Sequence, residues 1–161
     1  MFRKMRRYKQ QMSDEDAANI LKNGTSGVLA LLGDGDYPYA VPMSYVYSDG
    51  RIYFHCARAG HKLDAIKNHD KASFCVIAKD SVIPDEFTTY YKSVIAFGRV
   101  HIIEDEDEKE KALRTLALRY RNVDDELLAK EVNSSIEMLH MLCFDIEHMT
   151  GKCSRELTKD E

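Results

Sequence analysis

The chain has 161 residues, enough to bury one real core and too few for two comfortable domains. Its 44% hydrophobic and 31% charged residues are ordinary for a globular protein, and a net charge of -4 argues against a nucleic-acid surface as its main business. No apolar run approaches the length of a membrane span.

The opening "MFRKMRRYK" crowds Arg3, Lys4, Arg6, Arg7 and Lys9 with no apolar run behind it. Residues 1–12 therefore read as a basic arm, solvated or touching a partner, and not as an export signal. "SDEDAANILKNG" predicts a short helix: Ser13 caps it, Asp16 stands at capping-box spacing, and Gly24 stops it. "GVLALLG" reads as a buried strand and "GDGDYP" as its turn. "YAVPMSYVYSDGRIYFHCA" follows as two strands joined by a hairpin at "SDG". Pro42 cannot donate to a ladder, so its strand should lie at an edge or be bulged there.

"KLDAIKNH" predicts a helix with Leu63, Ile66 and the stem of Lys67 on one face, and "KASFCVIA" a strand. After a looser segment with Pro84, "TTYYKSVIAFGRVHIIED" predicts a long strand, with Gly98 marking a bulge or bend. "EDEDEKEKALRTLALRYR" is the clearest helix, with an acidic first turn and Leu113, Leu116, Ala117 and Tyr120 three or four apart. Residues 125–136 are expected to be helical or irregular. "MLHMLCFDIEHMTGK" reads as the last strand, and residues 154–161 as a flexible tail. About six strands with helices inserted among them predict a mainly β, α+β domain: an antiparallel barrel with peripheral helices over residues 1–161. The glycine fingerprint of a dinucleotide fold and the P-loop are both missing from the sequence.

Cys56, Cys75, Cys143 and Cys153 are scattered without a C-x-x-C pair, as expected for reduced thiols in a cytoplasmic protein. "YFHCARAGHKLD", residues 53–64, is the stretch richest in chemistry. Neighbours on a strand point to opposite faces, so His55 and Cys56 cannot form a dyad there. His61, beyond the turn, could swing back, but nothing in the sequence requires it. Without a C-x-x-C or H-E-x-x-H, these three residues support a metal site only weakly. Cys56 is expected to fill core beside Phe54. The turn itself is different: Gly60 followed by a helix opening at His61 and Lys62 presents backbone N–H groups and an ammonium at a positive helix end. Such a feature suits a phosphate. A plain strand-to-helix turn needs Gly60 as much, so the local pattern leaves both readings standing.

The ordered segments from "GVLALLGDGDYPYAVPMSYVYSDGRIYFHCARAGHKLDAIKNHDKASFCVIA" through "TTYYKSVIAFGRV" to "DIEHMTGK" resemble the pyridoxamine 5'-phosphate oxidase-like flavin-binding family, within it the branch related to nitroimidazole-resistance reductases. The resemblance spans nearly the whole chain, with "YFHCARAGHKLD" and "TTYYKSVIAFG" its more specific parts. It implies a six-stranded split β-barrel binding FMN at a homodimer interface, with both subunits contributing to each site. Carried over by position, the phosphate would meet Cys56, Ala57, Gly60, His61 and Lys62. Met43, Ser44 and Tyr45 would run along the flavin ring, with His55 in the same pocket and a candidate for proton delivery. Tyr91 and Ser93 would lie near the flavin or the dimer seam, and His148, Thr150 and Lys152 would approach the ring. Each of these has a plain alternative: a cross-strand aromatic for Tyr91, a solvent-face strand residue for Ser93, a surface histidine for His148.

True pyridoxamine phosphate oxidases resemble one another in a C-terminal segment bearing tryptophan and arginine. This chain has no Trp and ends in "GKCSRELTKDE", so vitamin B6 oxidation is disfavoured. The resemblance implies an FMN-dependent oxidoreductase that passes electrons from NAD(P)H to a small acceptor such as a nitroaromatic. The alternative is a module that stores or senses FMN or pyridoxal phosphate without turnover.

Overall fold

The computed structural model describes residues 1–122 and 124–158. Seven strands form one antiparallel sheet: β1 (Ser26–Leu32), β2 (Pro38–Ser44), β3 (Val46–Ser48), β4 (Arg51–Ala57), β5 (Lys71–Ile83), β6 (Thr88–Ile102) and β7 (Leu139–Cys153). Among the described residues four α-helices accompany them: α1 (Asp14–Asn23), α2 (His61–Asn68), α3 (Glu106–Tyr120) and α4 (Asp125–Ser135). The mainly β, α+β expectation holds.

The strand count differs from the expected six because "VPMSYVYS" is broken at Tyr45 into β2 and β3. The sheet order is β2-β1-β5-β6-β7-β4-β3, so β2 and β3 stand at opposite edges of the sheet. Yet Tyr45 alone separates them in the chain. Only a sheet curled round on itself can satisfy both facts, and no ladder among the described residues joins its two edges. The barrel is therefore split along a seam where β2 faces β4. Pro42 lies on edge strand β2, as its missing N–H demands.

Side chains inside the curl form the main core: Leu29, Leu31, Phe54, Phe74, Val94 and Phe144 are at most 4% exposed. Each such buried side chain contributes about 1.5–3 kcal/mol. α1 adds Ala17 and Leu21, and α2 adds Leu63, Ala65 and Ile66. Lys67 stays exposed; Ala65 takes the place expected for its stem. A second core lies outside the curl, where Leu113, Leu116, Leu128 and Val132 of α3 and α4 pack on Met141 and Cys143. β7 is thus buried on both faces from Met141 to Phe144.

β1 was expected to be buried throughout and instead alternates. Leu29 is fully buried while Val28 and Leu32 are nearly two-fifths exposed, because the second core of α3 and α4 lies against β7 and not against the outward face of β1. The Asp49–Gly50 hairpin has positive φ at both positions, 52° and 78°, as the sequence predicted. Register slips between Phe97 and Gly98, the expected bulge.

The basic arm is not simply solvated. The Met12 N–H donates to Gly151 O at 2.9 Å and Gln11 bridges Lys152, covering the part of β7 that β4 leaves unpaired. Phe2 stacks on His148 with ring centroids 4.7 Å apart. At the other end, residues 154–158 form a turn in which the Ser154 N–H donates to Tyr91 O, rather than a loose tail. Residues 159–161 of that expectation lie outside the described residues.

Candidate functional site at the barrel seam

β3 pairs with β4 at Val46↔Tyr53 and Tyr47↔Ile52. Continued back across Tyr45, that register sets Ser44 opposite His55 and Met43 opposite Cys56. No ladder forms there, so the seam opens into a cleft whose two lips carry backbone N–H and C=O groups without strand partners across it. Strand alternation then sorts the side chains. Ser44, His55 and Ala57 are exposed and point outward, while Met43 and Cys56 are 7% exposed and point in.

α2 begins at the end of this cleft. Gly60 caps it at φ 133° and ψ 167°, a backbone region open to glycine almost alone, and nothing lies within 4 Å of where its Cβ would stand. The Gly60 carbonyl accepts from the Leu63 and Asp64 N–H groups, which leaves those of His61 and Lys62 ahead of the helical ladder. Lys62 is half-buried, and its ammonium reaches across the seam to donate to Met43 Sδ at 3.2 Å. A thioether is a weak acceptor, so this cation is poorly satisfied and free to exchange sulfur for an oxyanion.

His61 stacks on Tyr39, 4.2 Å between centroids, with Nε2 3.7 Å from the Asp34 carboxylate. Tyr39, Cys56, Ala57, Gly60, His61 and Lys62 line one concavity. Tyr39 was not singled out from the sequence, although it shares the inward parity of Val41 and Met43 on β2. Burial pushes the Cys56 thiol up, against the opposing charge of Lys62. Cys56 is thus a buried thiol facing the core, as strand alternation foretold, and not a nucleophile paired with His55.

Tyr45 is not at the cleft surface. It is fully buried with its ring edge-on to Phe74, and its hydroxyl donates to Leu21 O at 2.8 Å. Its N–H donates to the Tyr120 hydroxyl at 3.1 Å and its carbonyl lies 3.0 Å from the same oxygen. Its polar groups are consumed in closing the barrel, which leaves none for a ring in the cleft.

Tyr91, Ser93, His148, Thr150 and Lys152 gather elsewhere, on the outward face of β6 and β7 beneath the arm. Ser93 pairs with Lys152, Ile95 with Thr150 and Phe97 with His148, and Lys152 Nζ sits 5.1 Å from the centre of the Tyr91 ring. β1 and β5 separate this group from β2, and β7 pairs with β4, the other lip, only from Leu139 to Asp145, short of His148. The sequence list therefore resolves into two groups within one chain. Along the face between them run Val28, Cys75 and Ile95 in one cross-strand row, with Ile77 68% and Phe97 39% exposed nearby.

His101, Cys143 and Asp145 also converge, but Arg51 already pairs with Asp145 at 3.0 Å, and burial pushes the Cys143 thiol up to about 12. No helix among the described residues is long and apolar enough to cross a membrane.

The structure is similar to a conserved hypothetical protein of Mycobacterium tuberculosis, with a TM-score of 0.82 at 19% identity, covering 96% of this chain and 93% of that one. A candidate 5-nitroimidazole antibiotic resistance protein of Bacteroides thetaiotaomicron aligns with a TM-score of 0.77 at 17% identity, over 89% and 86% of the two chains. An FAD-binding protein of Mycobacterium smegmatis aligns with a TM-score of 0.63 at 17% identity, over 90% and 99%. At these identities the likeness is one of fold. No curated protein matches the sequence. The family described as pyridoxamine 5'-phosphate oxidase matches residues 13–153, and the chain, spanned almost end to end by that match and carrying the split sheet, belongs to this family.

Proposed function

We propose that this protein is a flavin-dependent oxidoreductase that holds FMN in the seam cleft. The observation that carries the reading is the Lys62 ammonium, held at the open start of α2 by nothing better than a thioether. The cleft fits the group. Lys62 and the His61 and Lys62 N–H groups would hold the phosphate, with space in front of Gly60. The unpaired backbone lips near Ser44 and His55 suit the polar edge of a planar ring. Bound flavin supplies the electron-transfer chemistry, from a donor such as NAD(P)H to a small acceptor such as a nitroaromatic. The protein's part is to bind, orient and shield, and exposed His55 at the outer lip is the side chain best placed to move a proton there. Family membership does not bring vitamin B6 oxidation with it, since function resides in the site and not the fold.

The assembly that suits this cleft is a homodimer packed through the outward face of β1, β5 and β6. The exposed Ile77, Ile95 and Phe97 would be buried there, and one subunit's Tyr91, Ser93, His148, Thr150 and Lys152 would come towards its partner's cleft. Charging that face with Ile77→Lys and Ile95→Lys should yield monomers by sedimentation and weaken flavin binding; monomers of the unaltered chain that hold flavin would overturn the dimer.

The test of the function is direct. The purified protein should be yellow, bleach with NAD(P)H under anaerobic conditions, and regain colour with a nitroimidazole. A flavoprotein inert to every donor would instead be a storage or sensing module, and failure to bind FMN would end both readings.

A further inference from the structure

Three buried side-chain polar atoms have no hydrogen-bond partner among the described residues: Gln10 Oε1, the Tyr91 hydroxyl and the Ser154 hydroxyl. All three residues line one cavity, between the arm, β6 and the turn after β7. Gln10 is 95% buried and Ser154 98% buried, so Gln10 Oε1 and the Ser154 hydroxyl have lost bulk water without gaining a protein partner. Arg6, Arg7 and Arg155 line the same cavity, and none is ion-paired among the described residues. Glu156 is the one carboxylate there, which leaves an excess of positive charge.

We propose that this cavity is a second anion site, distinct from the α2 cradle, that takes the phosphate group of a small molecule. Three guanidinium groups and two hydroxyls offer more donors than a carboxylate has lone pairs to accept, whereas a phosphate carries three oxygens and a greater charge. The Gln10 amide receives the P–O–H of a phosphate monoanion or, turned over, donates its NH2. The backbone is already set for this: the Ser154 N–H donates to Tyr91 O at 3.0 Å, and the Gln10 N–H donates to Arg7 O at 2.9 Å, fixing the arm's turn over the cavity. Tyr91 thereby serves two surroundings, its ring beneath Lys152 and its hydroxyl in the cavity.

The experiment is a titration of the full ¹⁵N-labelled chain with inorganic phosphate, at ionic strength held constant with sodium chloride. The Gln10 side-chain amide and the Ser154 backbone amide are followed by NMR. Saturable shifts at both are expected, weakened about tenfold by the double variant Arg6→Gln with Arg7→Gln, and several-fold by Ser154→Ala. Lys62→Ala should leave them unchanged, which separates this site from the flavin reading. Shifts that rise linearly with phosphate, shifts confined to residues 60–62, or saturation unaltered by the arginine variant would each overturn the proposal.

Discussion

Replacing Gly60 by alanine isolates the backbone geometry on which the cradle depends. At φ 133° and ψ 167° this residue occupies a region that is essentially reserved for glycine. An added Cβ meets no atom within 4 Å, so the substitution brings no clash and its whole cost is torsional. That cost is about 1–3 kcal/mol if the conformation is retained. For a domain of this size each kcal/mol lowers Tm by about 2–4 °C, so Gly60→Ala should melt roughly 2–12 °C below the parent in a calorimetric scan. Gly50→Ala is the control: it also meets nothing within 4 Å, but sits at φ 78° in a hairpin far from the cleft. The two should part in function. Gly60→Ala should also weaken FMN binding, because relaxing the turn withdraws the His61 and Lys62 N–H groups, whereas Gly50→Ala should leave it intact. A Gly60→Ala protein with parental Tm and parental flavin affinity would refute the described turn.

Two further predictions concern the seam. The Tyr120 hydroxyl accepts from the Tyr45 N–H and donates to Thr25 O at 2.8 Å, so Tyr120→Phe should cost about 1–2 kcal/mol in urea unfolding; an unchanged midpoint would mean that α3 does not hold the seam. Burial pushes the Tyr45 phenol up to about 12 from an ordinary 10, against the nearby charge of Arg119. Its contribution is therefore complete below pH 10 and lost as pH rises towards 12, and Tyr45→Phe should flatten that limb of the stability curve. Cys143, raised to about 12 from 9, loses stability in the same direction from a lower pH, so a limb that Tyr45→Phe leaves unaltered would assign the whole loss to other groups.

Much of this fold is legible in the sequence because its signals are local. The Ser13 cap accepts from the Asp16 N–H, the Asp49–Gly50 turn closes a hairpin, and Gly98 marks a bulge, each within a few residues of its cause. The separation of His55 from Cys56 follows from alternation alone. What could not be read depends on distant partners. Tyr45 looks like one more residue of a strand until Tyr120, 75 positions away, engages its backbone and splits β2 from β3. β1 reads as buried because Val28 and Leu32 are apolar, but their exposure is decided by where α3 and α4 pack, which is against β7 and not β1. Basic composition gave the arm its solvated reading; its pairing with Gly151 and Lys152 is fixed by the unpaired edge of β7. The local pattern of "AGHK" leaves a phosphate cradle and a plain turn even, and it holds no sign that Lys62 meets Met43, 19 positions away on another strand.

The most direct test of the central claim is a fluorescence titration of the flavin-free chain with FMN, set beside the same titration of Lys62→Ala. A charge-assisted hydrogen bond to phosphate contributes about 1.5–3 kcal/mol, so the parent should bind FMN saturably and the variant at least about tenfold more weakly. Equal affinities would remove Lys62 from the site, and a parent chain that quenches no flavin fluorescence would contradict the cleft as a flavin site altogether.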